Sequence, residues 1–239
     1  MSVEIRGGVE LPARREEIEL HTSDGLTLVG ELASPEGADA VATLVTLHPL
    51  PTAGGFMDSH ILRKAAARLP ALAHLNVLRF NTRGTSSARG TSDGAFGDGV
   101  AEQADVAAAM DVVTERGLPR PWLLGWSFGT ELALTYGRSH AVEGAILLSP
   151  PLHRATPEDV AAWEGDRRRL IALIPEFDDY LRPAEAAERF SSVPSAELVP
   201  VDGGKHLWVG ENLTRRVLTE IVRVVNPDAL PLPERWPAD

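Results

Sequence analysis

Apolar and polar positions along the chain repeat with two different periods, and the switches between them mark out the elements. Glu16–His21 and Leu26–Leu32 alternate polar with apolar positions around Ser23-Asp24-Gly25, which predicts an N-terminal hairpin. Val41–Leu47 is a near-continuous apolar, β-rich run, the pattern of a strand buried on both faces. Ser59–Leu72 places Ile61, Leu62, Ala65, Ala66 and Leu69 on one helical stripe, and Val77–Phe80 reads as a short strand. Val100–Arg116 repeats the helical spacing through Val106, Met110 and Val113. Strand Trp122–Trp126 then runs into helix Phe128–Arg138, with Phe128, Leu132 and Tyr136 in register. Ala145–Leu148, Leu170–Ile174 and Glu197–Val201 are further strands, and Pro183–Phe190 and Glu211–Val225 are helical. Strand and helix alternate from Val41 onward. The fold class expected is therefore α/β: a mostly parallel eight-stranded sheet, led by an antiparallel hairpin, with helices on both faces.

A chain of 239 residues suits one such domain and is too short for two with separate cores. Residues 150–168 are the only room for a cap. They are expected to form one short helix, Pro157–Trp163, with Thr156 as N-cap and Pro157 at the first helical position. From Pro227 to the last residue the chain carries four prolines and is read as an extended surface strap.

The net charge of −11, without a long basic stripe, argues against nucleic acid or an anionic membrane as partner. With no cysteine, disulfides, thiolate nucleophiles and Cys-ligated zinc are excluded. Residues 1–20 hold no apolar core of a signal peptide, and no segment has the apolar length to span a bilayer, so a cytoplasmic protein is expected. A small acyl molecule is the partner expected, and a homodimer is compatible with the chain.

The chemistry concentrates at Gly125-Trp126-Ser127-Phe128-Gly129. A serine flanked by glycines between a strand and a helix is a nucleophile elbow: the turn strains the serine backbone, and the side chains two residues away must be minimal for strand and helix to approach. A serine hydroxyl needs a base. His206, in Gly203-Gly204-Lys205-His206 just past the last strand, is the candidate. A carboxylate must orient that imidazole, and the loop Pro175-Glu176-Phe177-Asp178-Asp179-Tyr180 offers three. Asp178 is preferred, with Asp179 second and Glu176 third. The oxyanion would be met by the backbone N–H of Phe128 and, because Pro49 and Pro51 have none, by that of Leu50. His48 reads as a structural hydrogen-bonding residue rather than a second base. Asp58 reads as a helix cap, Ser149-Pro150-Pro151 as a strand-ending turn, and Asp93, Asp98, Glu102 and Asp105 as caps and a solvated face rather than a metal site. No cofactor and no metal are invoked.

These residues resemble the α/β-hydrolase fold, in particular the small, lid-poor bacterial serine hydrolases near the dienelactone-hydrolase-like and serine-aminopeptidase-like groups. The resemblance runs from about Glu16 to Val225. It is carried by His48-Pro49-Leu50-Pro51, by Arg79-Phe80-Asn81-Thr82-Arg83-Gly84, by the elbow, and by Asp178 and His206. Two departures stand out. Ser127 occupies the place of the cysteine of true dienelactone hydrolases, and Arg83-Gly84-Thr85-Ser86-Ser87 lacks the second glycine of the family's R-G-x-G-x-S pattern. The resemblance implies hydrolysis of a small ester or thioester through an acyl-enzyme. Acyl transfer, peptide cleavage and a catalytically silent binding protein are the alternatives. The substrate pocket is expected at Leu50, Phe56, Met57, Trp126, Phe128, Leu152, Trp163 and Trp208.

Overall fold

Eight segments rich in leucine, isoleucine and valine pair into one sheet. They are β1 (Arg14–His21), β2 (Thr27–Ser34), β3 (Ala42–Leu47), β4 (Leu75–Phe80), β5 (Pro121–Trp126), β6 (Gly144–Leu148), β7 (Arg169–Pro175) and β8 (Glu197–Val201). The computed structural model describes residues 2–165 and 167–237. Position 166 of the expected cap and positions 238 and 239 of the expected strap lie outside the described residues.

The strand order is β1-β2-β4-β3-β5-β6-β7-β8. β1 and β2 pair antiparallel from Arg14 opposite Ser34 to His21 opposite Thr27, and β2 is antiparallel to β4. All other pairings are parallel. Burial follows this arrangement. At the edge only Ile18 and Leu20 of β1 are buried, whereas every residue of β3 and β4 is. A central strand covered on both faces has no solvent side, so its sequence shows no alternation.

Among the described residues there are six α-helices: α1 (His60–Ala73), α2 (Gln103–Glu115), α3 (Phe128–Tyr136), α4 (Pro157–Ala161), which packs on α3, α5 (Pro183–Arg189) and α6 (Glu211–Val225). Successive strand residues point to opposite faces, and the core divides accordingly. Leu44, Val77, Leu124, Ile146 and Leu173 pack under α1 and α6, while Val45, Leu78, Leu123, Leu147 and Ala172 pack under α2 and α3. On α6, Val217, Leu218, Ile221, Val222 and Val225 form the inward stripe. Burial of each such side chain contributes about 1.5–3 kcal/mol. Among the described residues no helix is long and apolar enough to cross a membrane.

The topology places one crevice. From β3 the chain turns to β4 on one side, and from β5 it turns to β6 on the other, yet β3 and β5 are neighbours. The loops leaving their carboxyl ends, at His48 and Ser127, therefore diverge and leave a gap where ligands of such sheets bind.

Several local expectations are corrected. Asp58 does not cap α1. The N-cap position is Ser59, and Asp58 accepts a hydrogen bond from the buried Arg79, which also pairs with buried Glu31. Glu102 and Asp105 are not on a solvated face, since both are fully buried. Glu102 accepts the Gly97 and Gly99 N–H groups at 2.7 and 2.8 Å, and Asp105 accepts the Arg83 N–H at 2.9 Å and its guanidinium at 2.8 and 2.9 Å. α2 begins only at Gln103, after the loop that these carboxylates organise. In the cap segment Thr156 and Asp159 form a reciprocal capping box with Pro157 at the first helical position, and α4 stops at Ala161. The strap opens with a short turn at Pro227–Ala229. Its Arg235–Pro237 then pairs antiparallel with Ser2–Glu4.

The first turn of α6 is tied to α1 and to the N-terminal segment by Glu211, which accepts hydrogen bonds from Arg68, from Lys64 at 3.2 Å and from the Gly7 N–H at 3.0 Å. Burial alone would raise this carboxyl, but those donors hold it down at about 2. A depressed carboxyl stabilises the fold above its unfolded pKa and ceases to do so as pH falls through its folded one. The Glu211→Gln variant should therefore melt below the wild type at neutral pH. The gap in Tm should close between about pH 4.5 and 2 in a pH series of thermal melts.

Candidate active site

The site begins with a backbone constraint. Ser127 has φ 52° and ψ −116°, a conformation that L-residues rarely adopt. Its N–H is held by Leu148 O at 2.9 Å, and its carbonyl accepts from Thr130 N at 2.8 Å and Thr130 Oγ1 at 2.6 Å. The two glycines are there for close approach. A Cβ on Gly129 would stand 2.0 Å from Leu47 O, and one on Gly125 would stand 2.5 Å from Gly129 O. With both absent, α3 presses its first turn against the ends of β3 and β5. The serine is thereby lifted to the sheet's rim.

Three loops then meet. Ser127 Oγ lies 2.9 Å from His206 Nε2, and His206 Nδ1 lies 3.0 and 3.2 Å from the two carboxylate oxygens of Asp178. A carboxylate only accepts, so Nδ1 carries the hydrogen, which leaves Nε2 free to accept from the serine hydroxyl. Asp178 is itself buried, and Oδ1 also accepts the N–H groups of Tyr180 at 2.9 Å and Leu181 at 3.2 Å. Burial would raise its carboxyl, but hydrogen bonds from His206 and from those amides keep it below the ordinary carboxylate range. The other two carboxylates of that loop point elsewhere. Glu176 accepts the Gly203 N–H at 2.8 Å, and Asp179 is exposed.

Beside the serine, neither the N–H of Phe128 nor that of Leu50 has a hydrogen-bond partner among the described residues. Phe128 opens α3, where the first N–H groups have no intrahelical acceptor and the helix dipole is positive. Leu50 is oriented through its neighbour. His48 Nε2 accepts the Thr82 N–H at 3.0 Å, so its hydrogen is on Nδ1, which donates to Pro49 O at 2.7 Å. In a trans peptide the C=O and N–H point in opposite directions, and the Leu50 N–H is turned away from the buried imidazole. Burial lowers the His48 pKa to about 4, only partly opposed by that bond to Pro49 O.

Over these groups lies a cavity of about 170 Å³ lined by Pro49, Leu50, Ala53, Ser127, Phe128, Glu131, Pro151, His153, Arg154, Tyr180, His206 and Leu207. A wider groove of about 660 Å³, lined by Ser34, Ala40, Asn76, Arg116 and Pro119 among others, sits at the opposite ends of the parallel strands, away from the serine. Leu50 and Phe128 line the cavity as expected, but Phe56, Met57, Trp126, Leu152, Trp163 and Trp208 do not. Met57, Trp126, Leu152, Trp163 and Trp208 are buried in the protein interior, and Phe56 faces a separate surface depression. The reason is area: large apolar side chains near the rim gain most by turning into the core.

The sequence reading missed Glu131, His153, Arg154 and Tyr180. Glu131 lies four residues after Ser127 on α3, on the same helical face, a spacing that could have flagged it. It is buried and accepts the N–H groups of His153 and of Arg154 (2.7 Å), which pins the start of the segment before α4 to α3. The Arg154 guanidinium stands 5.3 Å from the Phe128 ring centre and bonds Asp98 at 2.6 and 2.9 Å. The Tyr180 ring meets His206 edge-to-face at 4.7 Å. Among the described residues no group of three or more His, Asp or Glu side chains is arranged to hold a metal ion.

The neutral state of His48 carries a pH signature. A histidine depressed in the fold takes up protons more readily when unfolded, so its contribution to stability is full above about 6.5 and is lost as pH falls toward 4. The loss across that window should be on the order of 3 kcal/mol. A His48→Gln variant, compared with the wild type by denaturant titration at several pH values, should show a flatter profile there.

The comparisons with known proteins bear on the whole of this geometry. A family model described as the alpha/beta hydrolase fold matches residues 43–209. No curated protein sequence matches the chain at a significant level. Among solved structures, an α/β serine hydrolase without a lid from Xanthomonas campestris is similar, with a TM-score of 0.73 and 24% identity over 90% of this chain and 96% of that one. An α/β serine hydrolase homologue from Coxiella burnetii has a TM-score of 0.72 at 22% identity, covering 87% of this chain and 96% of its own. An esterase from Pyrococcus furiosus has a TM-score of 0.71 at 17% identity, covering 90% and 94%. With the sheet order, the elbow and the family match all in agreement, this chain belongs to the alpha/beta hydrolase fold family.

Proposed function

We propose that the protein is a serine hydrolase that cleaves a small carboxylic ester or thioester through an acyl-enzyme. The observation that carries this reading is the unbroken relay from Ser127 Oγ through His206 to Asp178, with contacts of 2.9 and 3.0 Å. In the first half-reaction His206 Nε2 takes the hydroxyl proton as Oγ attacks the substrate carbonyl. The carbonyl oxygen becomes an oxyanion between the N–H groups of Phe128 and Leu50. Asp178 stabilises the imidazolium without taking its proton. The imidazolium then protonates the departing alcohol or thiol, and the acyl group remains on Oγ. Water, deprotonated by the same imidazole, completes the hydrolysis.

A cavity of about 170 Å³ supports short acyl groups, and its walls at Pro49, Leu50, Ala53, Phe128 and Tyr180 are apolar. The lid-less hydrolase and the esterase among similar structures are in keeping with this reading. Transfer of the acyl group to an acceptor other than water uses the same relay, and product analysis with added alcohol or amine separates the two.

Purified protein should hydrolyse short-chain p-nitrophenyl esters and take up a fluorophosphonate probe at Ser127. Ser127→Ala should abolish both. Asp178→Asn should lower kcat on the order of 10⁴-fold, because it stabilises the wrong imidazole tautomer. A wild-type protein that neither turns over any member of an ester and thioester panel nor reacts with the probe would overturn the assignment.

A further inference from the structure

The segment that carries His206 has little to hold it from outside. It runs from β8 to α6 through Gly203 and Gly204, and Leu207 and Val209 are 56% and 71% exposed. It is held from within, at two successive backbone carbonyls. The indole Nε1–H of Trp126 donates to His206 O at 3.1 Å, and the Ser149 hydroxyl donates to the same oxygen at 3.2 Å. His60 Nε2–H donates to Leu207 O at 2.6 Å, and its ring meets the Trp126 ring edge-on at 5.3 Å. Two buried donors thus use both lone pairs of the His206 carbonyl.

We infer that Trp126 and Ser149 are positioning residues for His206, whose side chains hold its backbone carbonyl so that the imidazole stays between Asp178 and Ser127. The inference rests on the reading of Ser127 and His206 as nucleophile and base. Two further observations point to this role rather than to routine satisfaction of polar groups. The buried indole nitrogens of Trp122 and Trp208 have no hydrogen-bond partner among the described residues, while that of Trp163 donates to Leu134 O at 3.1 Å, so this fold does not pair every buried indole N–H. The nitrogen of Trp126 is instead aimed at the one carbonyl that belongs to His206. Ser149 has φ 51°, which a glycine would adopt freely, yet the residue here is a serine, and its hydroxyl reaches the His206 carbonyl. Four of the non-glycine residues at positive φ, namely Ser127, Ser149, Leu152 and Trp208, lie in the loops that gather at this rim. Backbone strain concentrated in this way belongs to sites whose geometry is over-determined by their surroundings. Trp126 also directly precedes Ser127. The same residue that leads into the elbow grips the base's main chain, so nucleophile and base are located by one short stretch of β5.

The test uses Ser149→Gly, Trp126→Phe and their combination, with Val209→Ala as a control on the same loop. Ser149→Gly removes the hydroxyl while relieving the backbone, and the buried space it empties is only that of one small side chain. Each single variant should lower kcat by about 3–10-fold and the pair by roughly 100-fold, the scale expected of a small misplacement of reacting groups, with KM within about twofold of wild type. The downfield Nδ1–H proton resonance of His206 should broaden in Ser149→Gly, broaden further in the pair, and persist unchanged in Val209→Ala. All measurements are made well below the Tm of each variant. An unchanged kcat, a raised KM with kcat intact, or an unaltered resonance in Ser149→Gly would overturn the inference, and that variant decides alone if Trp126→Phe does not fold. A wild type that is inactive and unlabelled at Ser127 removes the reading beneath the inference and the inference with it. An active, labelled wild type with unaffected variants removes this inference only.

Discussion

The architecture around the rim follows from one contact: the Cα of Gly129 against the carbonyl of Leu47. There is no room for a methyl group between them, and that closeness lets α3 start directly over the ends of β3 and β5. A wider spacing would lower the serine into the sheet edge and swing the first N–H of the helix away from it. The strain at Ser127, its φ of 52°, is the local cost of the approach. It is offset by the hydrogen bonds that Leu148 and Thr130 make to the serine's backbone and by the core packed on both sides of β5.

From that fixed point the other groups are held mainly from beneath. Asp178 is buried under two backbone N–H groups, His48 sits neutral beneath the loop that bears Leu50, and Glu131 ties the cap segment to α3. Each is a polar group whose burial would be costly without partners, and each has them. The outer surface is looser: Phe177, Tyr180, Leu207 and Val209 are largely exposed around the mouth. Among the described residues the segment between β6 and β7 holds only the short helix α4, so the groups at this rim are ordered chiefly from the sheet side.

Legibility of the fold in the sequence followed burial. Val41–Leu47 read as a two-face-buried strand because a central parallel strand has no solvent side, and Ala42–Leu47 is one, with Val41 exposed just before it. Thr156-Pro157 read as a helix start because capping chemistry is local, and the reciprocal bonds with Asp159 are there. The elbow was equally plain, because strained dihedrals leave a signature within five residues. The charged residues were not legible in this way. Asp58, Glu102 and Asp105 looked like caps or surface groups by their spacing, yet Asp58 answers Arg79 and Asp105 answers Arg83, partners that lie 21 and 22 positions away.

By itself, then, the sequence determined the order of strands and helices, the strained turn at Ser127, and three carboxylates from which an orienting group had to come. Those are properties of neighbouring residues: periodicity, side-chain size next to a turn, and the absence of an N–H in proline. Only the tertiary structure decided that Asp178 rather than Asp179 or Glu176 meets His206, that the tryptophans near the rim turn inward, and that Glu131, Arg154 and Tyr180 shape the cavity. These are matters of which loops the sheet order brings within about 3 Å of one another, the range of a hydrogen bond. A side chain's neighbours in space are set by strand pairing across the whole chain, and no local pattern records them.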